Sequence, residues 1–411
     1  MTDTRDEALA EVAPLAQRFE EGGHRLYLVG GIVRDLYLGV DLDALDFDLT
    51  TDARPARIRE LVEPIASVLW TQGERFGTIG CRIDGRDYEI TTHRAEYYPD
   101  GDSRNPTVEF GDDIHGDLSR RDFTVNAMAI DLDDGALVDP FGGRAALDAH
   151  ILDTPIDPSI SFRDDPLRIL RAARFVARHG LQPQARVTEA ASALVDRLDI
   201  VSTERIRDEF DKLLLAERPG SGIRFLFDIG ALSRTLGPLD RAEASKLADD
   251  LDRCDRDVGV RRTVALDPLG AHAATDRARQ LRLSNSDIRF IDALLAGLDT
   301  IRAHVGDWTD ADIRRLVLRV GDDRIDALAE VAAARGVDAS GFSTRHQELG
   351  AEEDLGALTP ALTGEAVMRA LGLDPGPEVG ATLSRLLERR LDNGPATEAE
   401  ELDWLAANPP A

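Results

Sequence analysis

The sequence is constrained most by a stretch near its N-terminus in which a strand pattern, a glycine pair and a helix pattern follow one another directly. The alternating apolar run Leu26–Val29 predicts a strand, and Gly30 and Gly31 end it. Helical spacing over Ile32–Leu38 then predicts a short helix. A glycine turn that opens a helix presents backbone N–H groups, an arrangement that binds phosphate. Arg34, one turn into the helix, is placed to add a bidentate phosphate contact.

A second predicted strand carries two aspartates, Asp46 and Asp48. Side chains two apart share one face of a strand, and carboxylates hold hard cations such as Mg²⁺. We therefore predict a metal–triphosphate site in which both aspartates are metal ligands and Gly30 and Gly31 border the phosphates. In a chain with 77 acidic residues such a pair also arises by chance, so the alternative for the pair alone is an ordinary strand–turn–helix. The stretch is neither a GxxxxGK[ST] P-loop nor a GxGxxG dinucleotide fingerprint.

Three motifs in a fixed order carry a family resemblance. They are VGGIVRD (Val29–Asp35) with the Asp-x-Asp pair after it, GERFGTIG (Gly73–Gly80) and DLSRRDFTVNAMAI (Asp117–Ile130). Together they resemble the head of class II tRNA nucleotidyltransferases and bacterial poly(A) polymerases, members of the polymerase-beta-like superfamily. The resemblance is dense over about residues 26–215 and sparser beyond.

The resemblance implies an α+β fold, with a polymerase-beta-like nucleotidyltransferase head of a small mixed sheet and helices, followed by an all-helical neck, body and tail. We predict four domains: a catalytic head at 1–150, a neck for base selection at 151–220, a body at 221–345, and a linker with a helical tail that contacts tRNA at 346–411.

Local patterns add three predictions about the chain between the motifs. Ala53–Val68 and Val187–Leu215 each have helical spacing, while the glycine-rich, acidic stretch Gly336–Pro360 is typical of a linker. Within the second helical stretch, Arg205 and Glu209 stand four residues apart, and we predict that they form an ion pair that braces the neck.

The resemblance also supplies a third catalytic carboxylate. Glu89, in the predicted strand Asp87–Thr92, matches the family position that helps to fix the metal next to the attacking hydroxyl. An equally weighted alternative is that Glu89 is a cross-strand partner of Arg82 or Arg86.

Further nucleotide contacts are implied by the motif around residue 122. By resemblance, Arg121 reaches the triphosphate, while Asp122 and Asn126 contact the sugar. Relatives also keep a flexible loop with an Asp-x-Arg pattern, which Asp102–Arg104 matches here. The alternative for that segment is an ordinary hairpin loop.

Arginines recur at helical spacing in the stretch RDDPLRILRAARFVARHG. Arg168, Arg171, Arg174 and Arg178 form one predicted basic stripe, with Asp165 as the helix N-cap. The generic alternative for such a stripe is a solvated face. The pair Asp165 and Arg168 matches the family's EDxxR motif, although Asp164 replaces the usual glutamate. By resemblance this pair selects the base, and Arg171 and Arg174 support it and the phosphates.

The chemistry of the Asp165–Arg168 pair suits two of the four bases. A carboxylate accepts from the exocyclic amine of cytosine or adenine, and a guanidinium donates to the unprotonated ring nitrogen beside it. Uracil and guanine present a carbonyl and an N–H at those places, so both protein groups would be left without a partner.

Composition limits the partners and the compartment. The net charge of −28 repels nucleic-acid phosphate at long range, so RNA must be bound by local arginine clusters. Cys81 and Cys254 have no metal spacing, and such sparse cysteine use is typical of the reducing cytoplasm. No apolar run approaches the ~20 residues of a spanning helix, so we expect a cytoplasmic protein without a membrane partner. The oligomeric state stays open.

The function implied is template-independent addition of CCA to the 3′ end of tRNA from CTP and ATP, with Mg²⁺ as cofactor and pyrophosphate as product. A poly(A) polymerase is the first alternative, although it usually carries a basic extension. A CC-only or A-only enzyme is the second, and a CC-only enzyme is expected to lack the Asp-x-Arg loop. A non-catalytic RNA-binding homologue is a remote alternative, which loss of the Asp-x-Asp pair would signal. No His-Asp dipeptide occurs, so we expect no appended phosphohydrolase activity.

Overall fold

The computed structural model describes residues 4–97, 107–111 and 113–409, which form two compact units, Met1–Thr235 and Leu236–Ala411. The first unit contains a mixed sheet with helices, and every regular element described in the second is helical. The predicted α+β fold class is therefore confirmed, while the four-part division of the chain stays a prediction. Among the described residues, no helix combines the length and the apolar character needed to cross a bilayer.

The first unit is built on a seven-stranded sheet and two short strand pairs. Its strands are β1 (Leu26–Val29), β2 (Phe47–Thr51), β3 (Val68–Trp70), β4 (Thr78–Ile83), β5 (Arg86–Thr92), β6 (Arg94–Tyr97), β7 (Thr107–Phe110), β8 (Ala129–Asp131), β9 (Leu137–Val138), β10 (Ile151–Leu152) and β11 (Gln182–Pro183). The large sheet has the order β3-β4-β5-β2-β1-β8-β9, in which β2 and β5 run parallel and the other neighbours antiparallel.

Helices cover this sheet and continue from it. In the first unit they are α1 (Thr4–Glu21), α2 (Gly31–Tyr37), α3 (Pro55–Val62), α4 (Ile114–Ser119), α5 (Gly143–Asp148), α6 (Pro158–Asp164), α7 (Leu167–His179), α8 (Ala185–Ala193), α9 (Thr203–Leu214), α10 (Pro219–Asp228) and α11 (Leu232–Thr235). The amphipathic α1 buries Val12, Leu15 and Phe19 in one core cluster with Leu28 of β1. Successive residues of β1 face opposite sides of the sheet, and both sides are buried.

The second unit is helical wherever it is described. Its helices are α12 (Arg241–Arg253), α13 (Val258–Leu266), α14 (Ala271–Gln280), α15 (Asn285–Ala303), α16 (Asp310–Val320), α17 (Ile325–Ala334), α18 (Ser340–Glu352), α19 (Gly364–Leu371), α20 (Pro377–Asn393) and α21 (Glu398–Ala407). The buried Arg314 and Arg390 share one carboxylate, as burial of charge in a low dielectric requires a partner. Glu353 lies 2.7 Å from Arg314 Nε and 2.6 Å from Arg390 Nη1.

Three local predictions differ from the structure, each for a physical reason. The helix predicted at Ala53–Val68 ends at Val62, because Pro64 cannot continue it, and Val68 begins β3. The helix predicted at Val187–Leu215 is divided in two: α8 ends at Ala193, and α9 begins at Thr203, after the capping side chain of Ser202. The predicted linker Gly336–Pro360 contains α18, which buries Phe342 and Leu349. Those two residues are seven apart and so lie on one helix face.

Candidate active site

The three predicted catalytic carboxylates face one cavity in the first unit. β2 and β5 lie side by side in parallel, with Asp48 in register with Glu89, and Asp46 directly precedes β2. All three line a cavity of about 750 Å³, together with Trp70 and Arg86. The structure thus brings Asp46, Asp48 and Glu89 together as the sequence predicted.

Charge repulsion and burial act strongly on Asp48. Burial, together with the negative charges of Glu89 and Asp46, raises the pKa of its carboxyl to about 6 against the opposing charge of Arg121. An ionised Asp48 is therefore costly to the folded protein unless a cation approaches it.

The donor set fits Mg²⁺ shared with a substrate and not a closed protein cage. Within the described ranges, no group of three His, Cys, Asp or Glu side chains is arranged to hold a metal ion alone. Mg²⁺ is commonly held by one or two carboxylates plus phosphate oxygens and waters. A partly buried carboxylate with a raised pKa next to two further carboxylates would supply the protein half of such a site.

The alternative role of Glu89, as a cross-strand partner of Arg82 or Arg86, is wrong. Arg82 donates to Asp87, with Nε 2.5 Å from Oδ1, and Arg86 is paired with Glu11. Glu89 therefore serves neither arginine as a cross-strand partner.

The glycine turn and Arg121 lie against each other beside these carboxylates. Gly30 has a φ of 80°, and a Cβ built on it would lie 2.5 Å from Nη1 of Arg121. Glycine is needed here both for the left-handed backbone and for the close approach. Arg121 also donates to Asp117 at 3.1 Å, while its buried Nε meets no acceptor among the described residues.

Asp117 was not singled out from the sequence, although it anchors this corner. Its side chain is fully buried, and burial alone would raise its pKa. The guanidinium groups of Arg120 and Arg121 outweigh burial and lower the pKa to about 2. Asp117 begins the family-like motif at 117–130, which was the signal available in the sequence.

Asp122 and Asn126 are held in a buried hydrogen-bond network. Asp122 Oδ1 accepts from Phe123 N and Asn126 Nδ2, and Oδ2 accepts from Arg171 at 2.5 and 2.9 Å. Asn126 Oδ1 in turn accepts from Arg34 at 2.5 Å. A carboxylate has about four acceptor positions, so a contact between Asp122 and a sugar requires one of these donors to leave.

Of the two residues of α2 predicted to bind phosphate, Gly31 lies at the start of the helix, whereas the Arg34 side chain is bonded inside the protein. Gly31 begins α2 as predicted. The Arg34 side chain is buried, bonded to Asp35 and Asn126, and stacked over the Phe175 ring with 5.4 Å between the guanidinium carbon and the ring centroid. Most of its hydrogen-bonding capacity is thus spent inside the protein.

Arg171 and Arg174 of the α7 stripe are paired with carboxylates, and they are partly buried and buried respectively, so the solvated-face alternative is wrong for these central members. Arg171 binds Asp122, and Arg174 donates from Nε to Glu209 at 2.8 Å. Only the last member, Arg178, is exposed. The predicted pair of Arg205 with Glu209 is also wrong, because Glu209 faces Arg171 and Arg174 of α7 while Arg205 reaches the segment between α6 and α7.

Arg205 contacts Asp165 there, which is one of the two residues predicted to select the base. Arg205 Nη2 lies 3.2 and 3.4 Å from the two carboxylate oxygens of Asp165, whose Oδ1 also accepts from Leu167 N. The predicted N-cap is wrong by one residue, because Pro166 and not Asp165 stands directly before α7, although Asp165 still accepts from the first N–H of that helix. Arg168 donates to Ser161 Oγ at 2.7 Å and to the backbone carbonyl of Arg120. The loop motif Asp102–Arg104 lies outside the described residues.

Comparison with known proteins supports a common origin for both halves of the first unit. Residues 26–153 match the family described as "Poly A polymerase head domain", and residues 180–239 match "Probable RNA and SrmB- binding site of polymerase A". A CCA-adding enzyme of Geobacillus sp. (strain WCH70) is 29% identical over 395 residues, which is 95% of each chain. One from Limosilactobacillus fermentum is 36% identical over 215 residues, so the match spans about half of that relative's length.

The fold is also shared with a solved structure along nearly its whole length. The CCA-adding enzyme of Bacillus stearothermophilus, crystallised in complex with CTP, superposes with a TM-score of 0.79 at 26% identity. The match covers 99% of this chain and 98% of that one.

The raised pKa of Asp48 gives a prediction about stability without metal. Because its folded pKa of about 6 exceeds its ordinary value of 3.8, ionisation destabilises the folded state as the pH rises from about 4 to about 6. The variant Asp48→Asn avoids this cost. In EDTA at pH 8 its free energy of unfolding should exceed that of the wild type by about 3 kcal/mol, and the gain should vanish near pH 4.

Urea unfolding at the two pH values measures the difference. Asp87→Asn is the matched control, because Asp87 lines the same cavity but is exposed and has a pKa lowered by its hydrogen bond from Arg82. It should bring no gain at pH 8. Equal free energies of unfolding for Asp48→Asn and wild type at pH 8 would show that ionisation of Asp48 does not destabilise the folded protein.

Proposed function

Because this chain belongs to the family of class II tRNA nucleotidyltransferases and bacterial poly(A) polymerases, we propose that it adds CCA to the 3′ end of tRNA. CTP and ATP are the nucleotide substrates, no nucleic-acid template is used, and pyrophosphate is released. The observation that carries the proposal is the cavity in which Asp46, Asp48 and Glu89 meet next to Gly30 and Arg121. The relatives' names and the CTP complex of the Bacillus enzyme support the choice of substrates.

The carboxylates and Arg121 have complementary roles in this proposal. Asp46 and Asp48 are the residues that hold Mg²⁺, with Glu89 beside Asp48 on the neighbouring strand. Bound Mg²⁺ would lower the pKa of the RNA 3′-hydroxyl and neutralise charge on the phosphates. Arg121 directs its guanidinium along the glycine turn, where the phosphates of the nucleotide would gain a charged donor.

Base selection is assigned to Asp165 and Arg168, whose remaining hydrogen-bonding capacity suits it. Asp165 Oδ1 takes the N–H of Leu167 and shares Arg205 with Oδ2, so Oδ2 can still accept from the amine of cytosine or adenine. Arg168 uses one donor on Ser161 and one on the Arg120 carbonyl, which leaves three of its five donors. Arg171 and Arg174 lie further along the same helix and support the selector.

The proposed activity is tested by single-nucleotide addition. Purified protein, Mg²⁺ and a tRNA lacking its 3′ CCA are incubated with each of the four NTPs alone and with CTP plus ATP, and product lengths are read on a sequencing gel. Full CCA addition requires both nucleotides and stops after three residues. A long run of A from ATP alone would identify a poly(A) polymerase, and a product that ends at CC would identify a CC-only enzyme. Absence of any extension would reject the proposal.

A second prediction concerns base choice. Asp165→Ala removes the acceptor for the amine, so discrimination against UTP and GTP should fall by about 10- to 100-fold while addition of CTP continues. Incorporation kinetics with each NTP give the ratios of kcat/KM. Asp157→Ala is a matched control, because Asp157 caps the preceding helix α6 through its side chain and is assigned no base contact. If both variants keep the wild-type C/A preference, Asp165 serves only as a helix cap.

A further inference from the structure

Glu209 of α9 is a buried carboxylate next to the nucleotide-site arginines. Its side chain is 5% exposed. Its Oε2 accepts from Arg174 Nε at 2.8 Å, and its Oε1 lies 3.6 Å from Arg171 Nη1 and 3.4 Å from Lys212 Nζ. Glu209 therefore contacts both members of the α7 stripe to which a supporting role in nucleotide binding has been given.

Arg171 is held from two sides by this arrangement. Asp122 accepts from its Nε and Nη2, and Glu209 faces its Nη1. A guanidinium is planar with donors in a fixed fork, so Asp122 sets its plane by accepting from two of them, and the negative charge of Glu209 attracts Nη1 across 3.6 Å. Asp122 belongs to the head motif and Glu209 to a helix that follows the stripe, and the orientation of Arg171 thus depends on both.

Removing the charge of Glu209 would act on both arginines. Arg171 would be drawn toward Asp122 alone, and Arg174 would lose the carboxylate that balances its buried charge. Arg174 would keep the contact with the Phe175 ring, at 5.1 Å, and the weaker attraction of Asp122. Uncompensated buried charge is costly, so the two side chains would move toward water or toward other acceptors.

We propose that Glu209 is a positioning residue for nucleotide binding, which fixes Arg171 and Arg174 before CTP or ATP enters. The inference rests on the proposed function, because it assigns Glu209 to the same nucleotide site. Side chains that are ordered in advance lose less conformational freedom on binding, and affinity rises accordingly. Since both nucleotides use the same arginines, Glu209 acts equally on CTP and ATP and does not choose between them.

The test is a comparison of KM with kcat. Glu209→Gln keeps the shape and removes the charge, and it should raise the KM for CTP and for ATP about tenfold with kcat within about twofold of wild type. The KM for tRNA should be unchanged. Glu209→Asp keeps the charge at a greater distance from the arginines and should give an intermediate KM. Asp208→Asn is the control, because Asp208 is its neighbour on α9 but is exposed and pairs with Arg207.

Each outcome decides the proposal. The proposal is overturned if the nucleotide KM of Glu209→Gln is unchanged. It is also overturned if kcat falls only in proportion to the folded fraction measured by circular dichroism, because Glu209 would then only stabilise the packing of α9 against α7. If Glu209→Gln does not fold, the nucleotide KM of Glu209→Asp decides in the same way. Equilibrium dialysis with CTP separates this proposal from the proposed function: weaker CTP binding by Glu209→Gln supports positioning even if the wild type extends no tRNA.

Discussion

A buried carboxylate, Asp122, is bound on one oxygen by Arg171 and on the other by its own motif, and the first unit depends on this contact. Asp122 is fully surrounded by protein, and burial would raise its pKa, but the charge of Arg171 and the hydrogen bonds around it hold the pKa well below its usual range. A buried pair that loses one partner costs several kcal/mol. The head motif and helix α7 are therefore fixed to each other by charge as well as by apolar packing.

At the cavity lined by Asp46, Asp48 and Glu89, the constraint is repulsion between like charges. Asp48 sits near Asp46 and Glu89, and Arg121 is the cation that opposes their repulsion. In a chain with a net charge of −28, nucleotide and RNA phosphates can be attracted only where such arginines are placed. In the proposed function, the same crowding that makes ionisation of Asp48 costly favours a divalent cation, so the cost to folding and the proposed catalysis have one origin.

Sequence patterns predicted the features that local rules determine. The turn at Gly30 and the placement of Asp48 next to Glu89 follow from strand alternation, glycine chemistry and a family motif. The partners of the arginines did not follow. Arg171 and Asp122 are 49 positions apart, and no local periodicity specifies that pair.

The error about Arg205 shows why local rules were insufficient. Helical spacing favoured a pair with Glu209, worth only about 0.2–0.5 kcal/mol on an exposed helix. Packing of α9 against α7 buries Glu209 next to Arg174 instead, and a buried arginine requires a carboxylate far more than an exposed one does. Arg205, left at the exposed edge, reaches Asp165.

A crystal structure of the protein with CTP and Mg²⁺ would show directly whether one nucleotide is bound jointly by the carboxylate cavity and by helix α7. We expect density for Mg²⁺ bound by Asp46 and Asp48, and triphosphate oxygens within hydrogen-bond distance of Arg121. We also expect the cytosine edge to lie against Asp165 and Arg168. A nucleotide bound with its phosphates away from Asp46 and Asp48, or with its base out of reach of α7, would contradict it.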